Sequence, residues 1–380
     1  MKDSGNVFTK GSTRRAFMRN GALAGGAIAV GAGILATKGA AQVREEDAKL
    51  TPGDIAILRF LAAAELIESD LWTQYAELGG IGSNPPIEID PTQTLNSYQT
   101  ALSALDSDGP QYIASNTLDE VSHATFLNKY LESKGAEPVN LDEFRTLPGS
   151  SATGSSGIGR LTNLMNLNVD TSWYVRYRST TNPDFGATFP QAVKLTSVTA
   201  IPRDNQDLNL GNTNTNFAQA IANTAAFHFG MIEQGGSSLY QAMSMKVTSL
   251  EVLKITMAIG GDEVAHFLEW VDFAGNGVQA PVAPFTDSVT GLSFANFFTN
   301  PPLQPANLVQ PSLIFPVPCE FISPNLPHCA VIRPTSDRFA GAQAAVTALT
   351  NDNLFQGQSS KFFRAVSILA EEADAAFRLF

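Results

Sequence analysis

Two five-residue segments of the chain carry a glutamate and a histidine at the same spacing. They are DEVSH at 119–123 and DEVAH at 262–266, and together they contain two of the four histidines. On a helix, residues three apart project from one face about one turn apart, so a carboxylate oxygen and an imidazole nitrogen can converge on one cation. Each segment is therefore predicted to supply half of a metal site. Its ligands would be Glu120, His123, Glu263 and His266.

A further glutamate precedes each segment in a helical pattern. Glu65 has Trp72 seven residues further on, and Glu233 has Tyr240 at the same spacing. Seven residues are about two helical turns, so the carboxylate and the ring share one face of each helix. The order of a lone Glu and then DEVxH thus occurs twice. Because an unpaired buried carboxylate is costly, a metal is the expected partner of a glutamate on such an apolar face.

Glu68 competes with Glu65 as the ligand of the first helix, because both lie on the same stripe as Trp72. Comparison with the segment around Glu233 favours Glu65. Glu233 occupies the position that corresponds to Glu65, whereas the position that corresponds to Glu68 is Gly236. Glu68 is therefore expected to be a solvated carboxylate or a residue that supports the ligands from behind.

A lone Glu from each of two helices and a Glu-x-x-His from each of two others form the di-iron or di-manganese centre of certain four-helix bundles. On these residues the chain resembles the ferritin-like superfamily, which includes rubrerythrins, ferritins and manganese catalases, and within it the exported proteins often labelled desiccation-related. The resemblance covers about 52–134 and 216–275. It implies two Fe or two Mn ions, with six residues as both metal ligands and catalytic residues. They are Glu65, Glu120, His123, Glu233, Glu263 and His266.

The resemblance also implies a role for each carboxylate. Glu120 and Glu263 would bridge the ions, and Glu65 and Glu233 would each bind one of them. Asp119 and Asp262 precede the bridging residues. Each is expected either to accept the free N–H of the histidine on the facing helix or to lie on a solvated helix face. Tyr240 is expected close behind the ligands.

The implied chemistry is redox chemistry on oxygen species. Two ions that each change by one electron can deliver two electrons to O2 or H2O2, which suits a ferroxidase, a peroxidase or a manganese-catalase-like disproportionation. The substrate would be a small oxidant or Fe(II). The four-cysteine rubredoxin-like module of rubrerythrins has no counterpart, because the chain has two cysteines. The alternative is a non-catalytic exported stress, binding or envelope-structural protein with a structural metal site.

Apolar periodicity and helix-breaking residues predict a mainly α fold, and the resemblance implies a ferritin-like four-helix bundle within 42–275. The predicted bundle helices are 52–78, 110–133, 216–245 and 250–273. A short helix is expected near 93–105. Residues 136–215 are rich in Ser, Thr, Asn and Gly and are placed in the long crossover that a ferritin-like bundle requires. This segment is predicted to be a β-containing insertion with strands near 173–177 and 192–201.

Residues 276–380 are predicted to form a Pro-rich extension of the bundle. Eleven of the 21 prolines lie between positions 281 and 334, which predicts mostly irregular structure there. Helical patterns follow near 338–349 and 361–380. The last is amphipathic and is expected to dock on the bundle or on a neighbouring subunit of a homo-oligomer.

The first 41 residues have the pattern of a twin-arginine export signal. Arg14 and Arg15 precede a weakly apolar run at 21–37, and small residues at 39–41 offer a cleavage site. The run is short for a membrane span, so a membrane anchor is expected only if the signal is retained. The protein is accordingly expected in the periplasm or outside the cell.

The charge of the chain bears on its partners. The net charge is −12, and removing residues 1–41, with six Lys or Arg and one Asp, lowers it to −17. An acidic surface repels phosphate backbones, so nucleic acid is not an expected partner.

The two cysteines lie in the Pro-rich segment. Cys319 and Cys329 are ten residues apart, with His328 adjacent. In an exported protein a disulfide between them is the first expectation, and free thiols are the second. A metal site formed with His328 would have too few ligands.

Overall fold

A computed structural model describes residues 49–81, 94–171, 194–213, 215–274, 285–288, 290–294, 316–317, 322–323, 325–331 and 341–379. Within these ranges the protein is mainly helical, as predicted. The export signal, the strand near 173–177 and Cys319 lie outside the described residues. The disulfide therefore stays a prediction, and Cys329 is exposed.

Eight helices occur in the described part of the chain. In order they are α1 Pro52–Gly79, α2 Ser97–Leu105, α3 Gly109–Ser133, α4 Asn205–Thr213, α5 Thr215–Ser244, α6 Leu250–Phe273, α7 Ala342–Asn351 and α8 Ser360–Asp374. The ends of α1, α3, α5 and α6 lie within one residue of the predicted bundle helices. None of the described helices is long and apolar enough to cross a bilayer.

Local sequence sets the start of α1 and ties it to the turn between α5 and α6. The side chain of Thr51 accepts a hydrogen bond from the Asp54 N–H, with Pro52 in the first turn, which satisfies one of the free donors of a helix start. The Asp54 carboxylate in turn accepts from the backbone N–H of Thr248 at 2.8 Å and from that of Ser249. The beginning of α1 therefore lies beside the turn between α5 and α6.

Helices α1 and α3 pack side by side and antiparallel. Ser69 Oγ donates to the Glu120 carbonyl at 3.0 Å, and Thr117 Oγ1 donates to the Trp72 carbonyl at 3.1 Å. Positions later in α1 thus meet positions earlier in α3.

Helices α5 and α6 form a second antiparallel pair, in which Ser244 Oγ donates to Thr256 Oγ1 at 2.8 Å. This pair faces the first one. Trp72 of α1 stacks on Phe229 of α5 with ring centroids 5.0 Å apart, and Asn116 of α3 lies 3.3 Å from Glu269 of α6. Helices α1 and α5 are antiparallel as well, because Glu65 contacts Tyr240 and the later Trp72 contacts the earlier Phe229. Since α3 and α5 both run opposite to α1, they run in the same direction. The chain between them must cross from one end of the four helices to the other.

The described part of this crossover lies against α1. Strand β1, Leu167–Asp170, pairs antiparallel with β2, Lys194–Val198, which falls in the strand predicted near 192–201. The buried Asp70 carboxylate of α1 accepts from the backbone N–H groups of Leu161 and Thr162, both at 3.0 Å. Helix α4 was not predicted, because its sequence is polar.

The described C-terminal segment contains two small hairpins and two helices. The strands are β3 Phe285–Thr286 with β4 Ser293–Phe294, and β5 Pro316–Val317 with β6 Cys329–Ala330. Helix α8 packs on α1 and buries Phe362 and Val366.

The predicted final helix over 361–380 is wrong at its end, because α8 stops at Asp374. The Asp374 carboxylate accepts from the backbone N–H groups of Ala342 and Gln343, at 2.8 and 2.9 Å, and so holds the start of α7. Beyond it Phe377 and Leu379 are exposed, so no apolar burial favours further helical turns.

Candidate metal centre

The four long helices turn carboxylates and histidines inward to one buried cluster. The structure brings all six predicted ligands into it: Glu65, Glu120, His123, Glu233, Glu263 and His266. The four glutamates are at most 1% exposed, and the histidines are 8% and 4% exposed. Such burial of acidic groups is rare unless they are paired or bind a cation.

The first half of the cluster surrounds the ring of His123. Its Nδ1 lies 3.5 Å from Glu65 Oε2, 3.2 Å from Glu120 Oε2 and 3.8 Å from Glu263 Oε1. One ligand atom from each of these four residues lies within 4.8 Å of the others. A cation here would find one nitrogen and three carboxylate donors.

The second half surrounds the ring of His266. Its Nδ1 lies 3.0 Å from Glu120 Oε1 and 3.4 Å from Glu233 Oε2. Glu120 therefore lies between the two histidines, with one oxygen towards each ring. This is the arrangement that a bridging carboxylate needs.

Asp119 and Asp262 lie behind the histidines, on the side away from the carboxylate cluster. His123 Nε2 lies 3.2 Å from Asp262 Oδ2, and His266 Nε2 lies 3.5 Å from Asp119 Oδ2. The hydrogen bond from His123 lowers the pKa of Asp262. Each aspartate thus contacts the histidine of the facing helix, although its side chain is almost half exposed. An acceptor at Nε2 fixes the ring so that Nδ1 points at the cluster.

Glu68 is a member of the cluster and does not extend into solvent, so the solvated alternative is wrong. Its Oε1 is buried without a hydrogen-bond partner, and it groups with Glu120, Glu233 and Glu263 within 4.8 Å. Burial, followed by the charge of Glu120, raises the pKa of Glu68 well above its ordinary value. The corresponding position on α5 is Gly236, which has no carboxylate. The two halves of the cluster therefore differ in the number of possible metal ligands.

Tyr240 and the helical glycines bring the helices close around these ligands. The Tyr240 hydroxyl donates to Glu65 Oε1. A Cβ at Gly260 would lie 2.7 Å from the Tyr240 Cβ, and one at Gly236 would overlap Glu263 Oε2. The glycine at each of these two positions therefore makes room for a functional side chain.

We expect Gly236→Ala to destabilise the protein by about 1–3 kcal/mol, because the added methyl displaces the Glu263 carboxylate in a packed site. Gly261→Ala is the matched control, since nothing lies within 4 Å of a Cβ there. It should be neutral or stabilise by up to about 1 kcal/mol through helix propensity. Urea denaturation of both variants measures the difference, and equal midpoints would contradict the packing described.

His228 lies outside the cluster and packs in the core, as predicted. Its Nδ1 lies 2.6 Å from the Tyr75 hydroxyl. Burial lowers its pKa to about 3, so the ring is neutral at physiological pH. His228 therefore stabilises the α1–α5 contact.

Sequence reasoning missed Glu269 as a neighbour of the site. It lies on α6, one turn after His266, and accepts from Asn116. Burial raises its pKa to about 7. The signal in the sequence was its spacing of three residues from His266, which places both on one helix face.

The electrostatics of the cluster are those of a site that a bound cation would stabilise. Burial raises the pKa of Glu120 to about 8 and raises that of Glu263 well above its ordinary value. Burial by itself lowers the pKa of His123, but contacts with Asp262, Glu120 and Glu65 outweigh it and raise this pKa to about 12. Protons are thus held strongly where a metal would bind.

The unpaired atoms of the cluster fit the same interpretation. Those without a hydrogen-bond partner include Glu233 Oε1 and both oxygens of Glu263. Buried polar atoms are normally satisfied, and a divalent ion would satisfy several at once. No family model, curated protein or solved structure matches the chain. The buried Glu/His cluster could hold metal ions, and carboxylates with imidazole suit iron or manganese.

Proposed function

We propose that the chain is a ferritin-like oxidoreductase that holds two Fe or two Mn ions and acts on peroxide, O2 or Fe(II) in stress protection. The observation that carries this proposal is the position of Glu120 between His123 and His266, with a lone glutamate beside each histidine. A carboxylate shared by two sites would hold two ions close together, as two-metal chemistry requires.

The directions of the four helices support the ferritin-like assignment. With α1 and α6 running one way and α3 and α5 the other, the connection between α3 and α5 is a long crossover. Four-helix bundles of the ferritin-like type have one such crossover, whereas up-down-up-down bundles have only short loops.

Bound iron or manganese would supply the one-electron steps from which a two-electron reaction with an oxygen species is built. The residues of the chain would hold and orient the ions. Asp119 and Asp262 fix the rings of the two histidines. The Tyr240 hydroxyl holds the Glu65 carboxylate. The small exposure of the six ligands excludes bulk water from the reacting centre.

Export by the twin-arginine route is part of the proposal. It rests on the arginine pair and the apolar run within residues 1–41. Since this route carries folded proteins, metal could be loaded before export. A small oxidant or Fe(II) is the proposed partner.

The test compares protein loaded with Fe(II) or Mn(II) and metal-free protein in three assays. They are O2 evolution from H2O2, H2O2 consumption with an added reductant, and Fe(II) oxidation. We expect at least one rate to exceed that of the metal-free protein by about 100-fold or more. A loaded centre without turnover in any assay would favour the structural metal site instead.

A further inference from the structure

A cavity of about 600 Å³ lies beside the metal centre, lined by residues of α1, α5 and α7, by the segment 352–355 that follows α7, and by Val366 of α8. Its walls are mostly apolar. Six of the apolar lining residues are Phe60, Ile67, Leu71, Met231, Leu239 and Leu349. The volume is that of a site for a small organic molecule, since such sites are mainly apolar and measure about 300–1,000 Å³.

Polar side chains lie at three places in the lining: on α7, at Asp170 and Asp352, and at Glu68. Gln343, Thr347 and Asn351 line the cavity from α7 and are exposed to solvent, so they mark its mouth. Glu68 lines it from α1 and has a buried, unpartnered Oε1. The cavity therefore leads from a polar rim through apolar walls to a carboxylate.

The inner end of the cavity reaches the metal centre itself. Glu68 has an oxygen within 4.8 Å of ligand atoms of Glu120, Glu233 and Glu263. Gly236 also lines the cavity, and it is the position at which a Cβ would overlap Glu263. Glu68 and Gly236 therefore lie at the boundary between the cavity and the cluster.

We propose that this cavity binds a molecule with a single aliphatic chain and an oxygen-bearing end group, with that end group held at Glu68 beside the metal centre. Its assignment as an organic co-substrate or substrate rests on the proposed function. H2O2 or Fe(II) alone needs no apolar chamber of this size. An aliphatic chain gains free energy with each methylene that it buries there.

The binding test uses metal-free protein and the straight-chain alcohols hexan-1-ol, octan-1-ol and decan-1-ol in calorimetric titration. We expect the affinity to rise by about fourfold for each added methylene, which is the factor for burying one CH2 group. An affinity that does not depend on chain length would overturn the proposal.

Variants that fill the cavity test whether the aliphatic chain binds there. Ala344 lines the cavity from α7 and Ala64 lines it from α1, and phenylalanine at either position would occupy the chamber. We expect Ala344→Phe and Ala64→Phe to weaken decan-1-ol binding at least about tenfold. Ala104→Phe, at an exposed helical position on α2, should leave it unchanged. Unaltered affinity in both lining variants, with helicity retained, would contradict the assignment of the site.

The orientation is tested in Mn(II)-loaded protein with decan-1-ol labelled with carbon-13 at either end. Mn(II) should broaden the resonance of the hydroxyl-bearing carbon more than that of the terminal methyl, and the reverse order would overturn the orientation. Failures remain distinguishable. Protein that binds two ions without chain-length-dependent binding refutes only this inference, whereas chain binding by protein that takes up no metal refutes only the proposed function.

Discussion

In Glu120→Gln, we expect turnover of peroxide or Fe(II) to fall by more than about 100-fold while the helical fold persists. Glu120 lies between His123 and His266, with one oxygen towards each ring. A carboxamide lacks the charge and the second oxygen donor that two cations share. Removing a residue behind a ligand costs about 10–100-fold in metal affinity or activity, so loss of a bridging carboxylate should cost more.

The same substitution should change the stability of the metal-free protein by only about 1 kcal/mol at pH 7. Burial raises the pKa of Glu120 to about 8, so the group is already mostly protonated, and Gln resembles the protonated acid in shape and charge. Elemental analysis, the three turnover assays and urea denaturation together test this prediction.

Two further variants serve as its controls. Glu372→Gln changes an exposed carboxylate on α8 and should leave metal content and turnover unchanged. Asp262→Asn removes the acceptor at His123 Nε2 and should show an intermediate loss of about 10–100-fold. Equal effects of Glu120→Gln and Glu372→Gln on metal content and turnover would show that Glu120 is not part of the metal centre.

We expect metal-free protein to lose stability as the pH rises from 5 to 8. The pKa of Glu120 is raised from 4.5 to about 8 by burial. Between these values the folded state binds more protons than the unfolded state, so the free energy of unfolding falls with rising pH. For a buried group with such a shift the change is on the order of 4 kcal/mol.

Glu68, Glu263 and His123 act in the same direction, because their pKa values are raised as well. The raised pKa of His123, about 12, contributes stability that is complete below its ordinary value of 6.5 and is lost as the pH rises through the folded value. The titratable groups that face Glu120 and His123 within the cluster are Glu65, Glu68, Glu233, Glu263 and His266. Bound metal replaces these protons, so metal affinity should rise with pH and reverse the slope.

Urea titrations at pH 5, 6, 7 and 8, with a chelator or with Mn(II), measure both slopes. Glu120→Gln should flatten part of the decline in metal-free protein, and Glu372→Gln should leave it unchanged. Metal-free stability that stays constant or rises from pH 5 to 8 would show that the buried carboxylates are not held protonated.

Much of the candidate site was predictable because the spacing of residues on one helix face can be read from a short stretch of sequence. The Glu-x-x-His pairs fix two ligands on one face each, and the repeated order of Glu65 with Glu120 and Glu233 with Glu263 indicated which helices meet. The bounds of the four long helices followed from caps and breakers such as Thr51, Pro52 and Gly80.

What escaped prediction depends on packing between distant segments. The sequence left open whether Glu68 is solvated or supports the ligands. Comparing the two repeated helices could not decide this, because the position that corresponds to Glu68 in the second is a glycine. The cavity forms where α7 and the segment after it pack against α1 and α5, which lie far from them in the sequence. The end of α8 is set by the contact of Asp374 with the start of α7, which no local pattern records.

The most direct test of the metal centre is elemental analysis of natively expressed protein together with a variant in which Glu120, His123, Glu263 and His266 are all replaced by Ala. We predict two Fe or Mn ions per chain in the unsubstituted protein and close to none in the folded variant. Fewer than one ion per chain, or equal metal content in both proteins, would contradict a dinuclear centre at this cluster.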